Sequence, residues 1–283
     1  MLELLTILTP LEPLKRHQDV RLPRTENTCT WLLNLESFCQ WRDSHSIEDN
    51  EYIFCCYGIP GAGKTVIWYA LQSSIIGVRV ANLYYYSQYS SIVIDNLYLQ
   101  LHKHPNAGIA CLYADYKDQT NQILVNILGS FLRQFLTATP EPIPDEIIKK
   151  LRNIQHGGRK AETGDILALL KIRLHQLKRA FICIDGVDEL ESKVRRQLLG
   201  ALKRLSTTNS RLLFTVRDYI ESEVQKWFQV LPEYTVVISA SEQDIEDFVR
   251  QQINEDPHLN PGVVDEVLEQ EILNGIIRKS QGM

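Results

Sequence analysis

The chain has no apolar run of about 18 residues or more, so its sequence predicts no transmembrane helix. It has no basic excess: 30 Lys and Arg stand against 35 Asp and Glu, a net charge of −5. That balance argues against a dedicated nucleic-acid surface, which needs clustered positive charge. No C-x-x-C pair occurs among its six cysteines. Cys55, Cys56, Cys111 and Cys183 fall in strand-like runs, where a reduced thiol behaves as a small hydrophobe. A disulfide framework is therefore not expected, and a reduced, cytoplasmic protein is. Residues Met1 to Pro10 are apolar but lack a basic n-region, and Glu3 interrupts them, so they do not read as a signal peptide. There is no internal repeat.

What is present is ordinary for a globular protein: 283 residues, 44% hydrophobic and 23% charged. That length fits one large domain. Residues 1–24 are weakly patterned, and the domain proper is read as 25–283. Short apolar runs predict strands at Tyr52–Tyr57, Gly108–Ala114, Ala180–Ile184, Arg211–Val216 and Tyr234–Ile238. Helical spacing marks Thr30–Trp41, Gln119–Leu136, Ile166–Leu177, Ser192–Leu205 and Glu266–Arg278. Ser241 with Asp244 resembles a capping box opening a helix through Ile253. Loops are read around Pro140–Pro144 and Gly157–Gly158. Alternating strands and helices predict an α/β fold: a parallel sheet of about five strands with helices on both faces, a three-layer sandwich.

The first strand runs into Gly58, Ile59, Pro60, Gly61, Ala62, Gly63, Lys64 and Thr65, which fit G-x-x-x-x-G-K-[ST]. Glycines let the backbone curl so that successive N–H groups face phosphate oxygens. The helix opening at Lys64 adds its positive end. Lys64 brings a mobile charge to the β- and γ-phosphates, and the Thr65 hydroxyl can ligate Mg²⁺. The pattern predicts a P-loop holding ATP or ADP, with GTP as the alternative, together with Mg²⁺.

The strand Phe181–Ile184 ends in Asp185-Gly186-Val187-Asp188-Glu189. A carboxylate at Asp185 can hold Mg²⁺ opposite the P-loop. Asp188 and Glu189 follow, placed to orient or deprotonate an attacking water. The bland alternative is a strand leading into an acidic helix start. The strand Arg211–Val216 ends at Arg217, which stands where a γ-phosphate sensor would. Surface pairing of Arg217 with Asp218 or Glu221 is the alternative.

Together these three elements resemble the NACHT class of STAND NTPases, the switch modules of NOD-like receptors. The likeness is greatest to those of filamentous fungi, also called nephrocystin-like N-terminal domains. The pattern Asp185 to Glu189 discriminates most. Trp31, Phe38 and Trp41, the Gly58–Thr65 phrase and Tyr113–Asp118 support it. The resemblance covers about residue 16 onward. It implies nucleotide binding at Gly58–Thr65, Mg²⁺ at Thr65 and Asp185, catalytic acids at Asp188 and Glu189, and a sensor at Arg217. It also implies slow Mg²⁺-dependent hydrolysis, self-association through NACHT domains, and a role in innate immunity or heterokaryon incompatibility.

The chain departs from that family pattern in three ways. It stops before the winged-helix lid. No effector domain and no sensor array accompany it. Residues 68–90, from Trp68 to Ser90, interrupt the P-loop helix and read as a retained intron or gene-model error, or else a genuine loop insertion. About 45 residues separate Lys64 from the next strand, well beyond a usual βα unit. The competing functional readings are a non-functional truncated NACHT fragment, a P-loop small-molecule kinase and a G-protein-like GTPase. The kinase lacks a recognisable arginine lid, and the GTPase lacks an Asn-Lys-x-Asp motif.

Overall fold

The computed structural model describes residues 5–12, 31–43, 52–58, 106–137, 142–206, 209–238, 246, 249, 250, 253 and 266–281. The described elements, in order, are α1 (Trp31–Asn34), α2 (Glu36–Asp43), β1 (Ile53–Tyr57), β2 (Ala107–Tyr113), α3 (Leu124–Thr137), α4 (Asp145–His156) and α5 (Thr163–Gln176). They continue with β3 (Arg179–Asp185), α6 (Ser192–Leu205), β4 (Ser210–Val216), α7 (Glu221–Phe228), β5 (Thr235–Val237) and α8 (Glu266–Gln281). Short 3₁₀ turns occupy Val187–Glu189, Asp218–Ile220 and Pro232–Tyr234.

All five strands pair in parallel, in the order β2-β3-β4-β1-β5. The α/β class and the five-stranded sheet expected from the apolar runs are both present. Strands β1, β2 and β4 are buried at every residue, as a sheet covered on both faces requires. Side chains in register across a parallel sheet share a face. Phe54, Phe181 and Leu213 lie on one face, where the Trp41 ring of α2 meets Phe54 at 5.7 Å and Phe181 at 5.8 Å. Phe214 lies on the other, against Phe228 of α7 at 5.7 Å. Helices therefore cover both faces.

Among the described residues, strand β2 is a sheet edge, and α3 shields it. Gln134 accepts a hydrogen bond from the Cys111 N–H and donates to the Cys111 carbonyl, each at 2.9 Å, in place of a further strand. Helix α3 starts at Leu124, later than its periodicity suggests, because Gln122 is drawn into the end of β2 and Ile123 is left exposed. Two helices carry no expectation from the sequence. Helix α4 buries Ile147, Leu151 and Ile154 along one stripe. Helix α7 is short and ends at Gln229, whose φ of 52° is left-handed. Within the weakly patterned residues 1–24, Leu5, Leu8 and Leu11 are buried. The helix read through Ile253 and the stretch 68–90 lie outside the described residues, apart from isolated positions of the former.

Candidate functional site

The carboxyl ends of four strands lie level. Tyr57 of β1 pairs with Val216 of β4, Ile184 of β3 with Phe214, and Tyr113 of β2 with Asp185. The residues just beyond them, Gly58, Arg217, Gly186 and Ala114, thus meet along one edge. In open α/β sheets this edge is where ligands bind.

Asp185 is the last residue of β3 and is buried. Thr215 stands beside it on the same face. Its hydroxyl donates to Asp185 Oδ1 and accepts the Gly186 N–H at 2.8 Å. Gly186 then turns the chain with φ 70° and ψ 43°, a left-handed conformation that glycine adopts without a Cβ penalty. That turn delivers Val187–Glu189, and buried Val187 anchors it to the core.

Asp188 points inward, its side chain 2% exposed. Its Oδ1 accepts the Arg217 backbone N–H at 3.1 Å, and its Oδ2 lies 3.1 Å from Arg217 Nε. Arg217 therefore pairs with Asp188, not with Asp218 or Glu221. Glu189 is half-buried and lies over Gly186. Burial raises its carboxyl above the usual glutamate range, against the lowering effect of the Tyr116 backbone N–H that it accepts, while Asp188 and Asp115 raise it further.

The loop that supplies Tyr116 is itself fixed. Gln122 accepts the Asp115 N–H and donates to the Tyr113 carbonyl, both at 3.0 Å. The Asp115 carboxylate accepts the Lys117 N–H at 2.8 Å.

Asp185, Asp188, Glu189 and Arg217 are thus brought to one edge, beside Gly58. Ile59, Pro60, Gly61, Ala62, Gly63, Lys64 and Thr65 lie outside the described residues. Thr215 and Gln122 gain their roles only in the folded chain. A hydroxyl in the otherwise apolar end of β4 is the signal for the first. No local pattern marks the second. A P-loop Mg²⁺ asks for few protein ligands beyond phosphate oxygens and water. A strand-end carboxylate ordered by a hydroxyl, with glycine next to it, fits that demand. The nearby thiols are inert, since burial pushes Cys55 and Cys111 up to about 12.

The sequence profile of the family described as nephrocystin 3, N-terminal, matches residues 27–217, more than half of the chain. The chain belongs to that family. The match runs from the approach to α1 to Arg217 and so includes every residue of the edge described above. No curated protein matches this family member.

Among solved structures, it is similar to the Aeropyrum pernix ORC1 protein in complex with DNA, at 17% identity and a TM-score of 0.52, covering 93% of this chain and 59% of that one. It is also similar to Cdc6p from Pyrobaculum aerophilum, at 14% identity and a TM-score of 0.48, covering 95% and 57%. The chain spans less than two thirds of the length of these proteins. The ORC1 likeness places the nephrocystin-type domain in the P-loop NTPase fold. Among the described residues, no helix is long and apolar enough to cross a membrane.

Proposed function

We propose that this chain is a nucleotide-binding module of the NACHT type, a STAND switch that binds ATP or ADP with Mg²⁺ and hydrolyses ATP slowly. The observation that carries the reading is the meeting of Asp185, Asp188, Glu189 and Arg217 at the strand edge where Gly58 begins the phosphate-binding phrase. Backbone N–H groups of Gly58–Thr65 would cradle the phosphates, with Lys64 reaching the β- and γ-positions. Thr65 and Asp185 would hold Mg²⁺, which when bound neutralises phosphate oxygens.

The acids divide the work. Asp188 is committed to Arg217, so it positions that guanidinium. Glu189 has its carboxylate over Gly186 and a raised proton affinity, which suits a group that takes a proton from water. In hydrolysis the water oxygen bonds to the γ-phosphorus and the bond to the β,γ-bridging oxygen breaks. The products are ADP and phosphate, and Glu189 receives the water proton. Arg217 reports the γ-phosphate. Exchange of ADP for ATP and self-association through this domain would make the output a signal, in an innate-immunity or heterokaryon-incompatibility receptor of fungal type. That last layer rests on family resemblance alone.

The test is Mg²⁺-dependent binding of ATP to purified protein, with Lys64→Ala as control. Binding that falls at least about tenfold in the variant supports the reading. Equal binding by both proteins removes it.

A further inference from the structure

We infer that Arg195, paired with Glu223, is a positioning residue for Glu189. It fixes the acid turn to the helix behind Arg217, so that Glu189 and Arg217 are held as one body. This rests on the role given above to Glu189.

Arg195 lies in the first turn of α6. Its Nε donates to Glu223 Oε2 of α7 at 2.9 Å. Its Nη1 reaches the Leu190 carbonyl at 3.1 Å and the Asp188 carbonyl at 3.5 Å. Those two carbonyls flank Glu189 in the chain. The guanidinium therefore grips the backbone on both sides of the proposed water-activating acid. Through Nε on one side and Nη1 on the other, one planar guanidinium thus serves an acceptor on α7 and two on the acid turn.

The turn needs this grip. Within it, the Glu189 N–H bonds to the Gly186 carbonyl at 2.8 Å and the Leu190 N–H to the Val187 carbonyl at 3.4 Å. A single 3₁₀ turn has poor hydrogen-bond geometry and little rigidity of its own.

The two loops are then tied twice, with the charges crossed. The acid Asp188 of the first meets Arg217 of the second, and Arg195 behind the first meets Glu223 behind the second. The Arg195 and Glu223 side chains are only 11% and 21% exposed, so water screens the pair weakly. Helix stability does not explain Arg195, because a cation in the first turn opposes the helix dipole. Nor is the pair needed to seat α7 on α6: Trp227 already packs against Gly200, 3.0 Å from where a Cβ would stand. The reach of Arg195 toward Asp188 and Leu190 is what remains.

Three variants test this: Arg195→Lys, Arg195→Ala, and the exchange Arg195→Glu with Glu223→Arg. Single-turnover ATP hydrolysis, ATP affinity, Tm and amide exchange are read on the full chain. The exchange keeps an ion pair but loses the donors to the carbonyls. It should fold with a near-native Tm and bind ATP within about twofold of the parent, yet hydrolyse at least about tenfold more slowly. Arg195→Lys should show the same split in milder form. Hydrolysis by the exchanged protein at the parent rate overturns the inference. So does a loss in rate matched by an equal loss in affinity.

A parent protein that binds no ATP, or hydrolyses none, removes the functional reading on its own. Amide exchange still decides the brace. In Arg195→Ala the Glu189 and Leu190 amides should exchange at least about tenfold faster, with β3 amides unchanged. Unchanged exchange at those two positions overturns the inference whatever the hydrolysis shows.

Discussion

Asp188 grips Arg217 twice, through the backbone N–H and through Nε, each at 3.1 Å. The carboxylate is buried and the guanidinium is 38% exposed, so removing the acid leaves a cation that water can partly solvate. Asp188→Ala should lower stability by about 1.5–3 kcal/mol, the range for hydrogen bonds to charged groups. Asp188→Asn keeps an acceptor for the N–H and should cost less. Both should weaken discrimination of ATP from ADP, since Arg217 loses its fixed position. Denaturant unfolding and nucleotide titration check the two effects. A wild-type ATP/ADP ratio in Asp188→Ala would separate Arg217 from phosphate sensing.

Thr215 orders Asp185. Its single hydroxyl serves Asp185 Oδ1 and the Gly186 N–H. Thr215→Val keeps the shape and removes one hydrogen bond from each of these two groups, which costs about 1–3 kcal/mol. Thr215→Ser retains the hydroxyl and should cost less than about 1.5 kcal/mol, mainly lost methyl packing. The Mg²⁺ dependence of ATP binding should shift in the valine variant and not in the serine variant. Titration with Mg²⁺ at fixed ATP measures it.

The contrast between Asp185 and Thr215 shows how far the sequence carries. Asp185 announces itself, because an acid after four apolar residues ends a buried strand. Thr215 gains its meaning only from strand order. β4 sits between β1 and β3, so a residue 30 positions away becomes the neighbour of Asp185. The same holds for Arg195 and Glu223, 28 apart in the chain. The five strands were legible because each is a compact apolar run. Helix α4 carries a readable stripe at Ile147, Leu151 and Ile154, but flanking prolines and glycines point to loops. Helix α7 has eight residues and too few turns for periodicity to stand out. Burial of Leu5, Leu8 and Leu11 goes with the crossing of their segment over Gly129 of α3, which no local pattern announces.

Gly186 is held at a φ of 70°. A methyl group there would stand 3.5 Å from Glu189 Cγ and 3.7 Å from the Ala114 carbonyl, ordinary contact distances. Gly186→Ala should therefore cost about 1–2 kcal/mol through left-handed strain and not through a clash. Thermal unfolding measures the loss. A much larger loss would mean that Glu189 cannot keep its place beside an added side chain.

Burial raises the Glu189 carboxyl above its ordinary value. The folded state then holds this proton more tightly than the unfolded chain. Its contribution to stability is present below the ordinary glutamate value and fades as pH rises through the raised one. The stability of Glu189→Gln relative to the parent should accordingly improve across that window. Activity should move the other way, because a base must be deprotonated. Hydrolysis should rise with pH along a limb displaced upward from the usual glutamate range, and Glu189→Gln should lose at least about a hundredfold in rate. A pH–rate profile with no such limb would take the base role from Glu189.

Gly129 lies in the middle of α3, where glycine ordinarily costs a helix about 1 kcal/mol relative to alanine. Its value is in what crosses it. A Cβ at Gly129 would stand 2.0 Å from the Leu8 carbonyl oxygen, which no side-chain shift can relieve. Around that crossing, Thr9 donates its hydroxyl to the Asn126 carbonyl at 2.8 Å, and Arg133 donates to the carbonyls of Thr9 and Leu11. Gly129→Ala should thus strengthen α3 and expel residues 5–12 from it. Burial of Leu5, Leu8 and Leu11 contributes about 1.5–3 kcal/mol each when complete, so the net effect should be a loss of several kcal/mol. Deleting residues 1–12 should cost a similar amount, and the two changes together should cost little more than either alone, because each removes the same contacts. Denaturant unfolding of the two variants and their combination closes this cycle. Additive losses would show that Gly129 and the amino-terminal segment act independently.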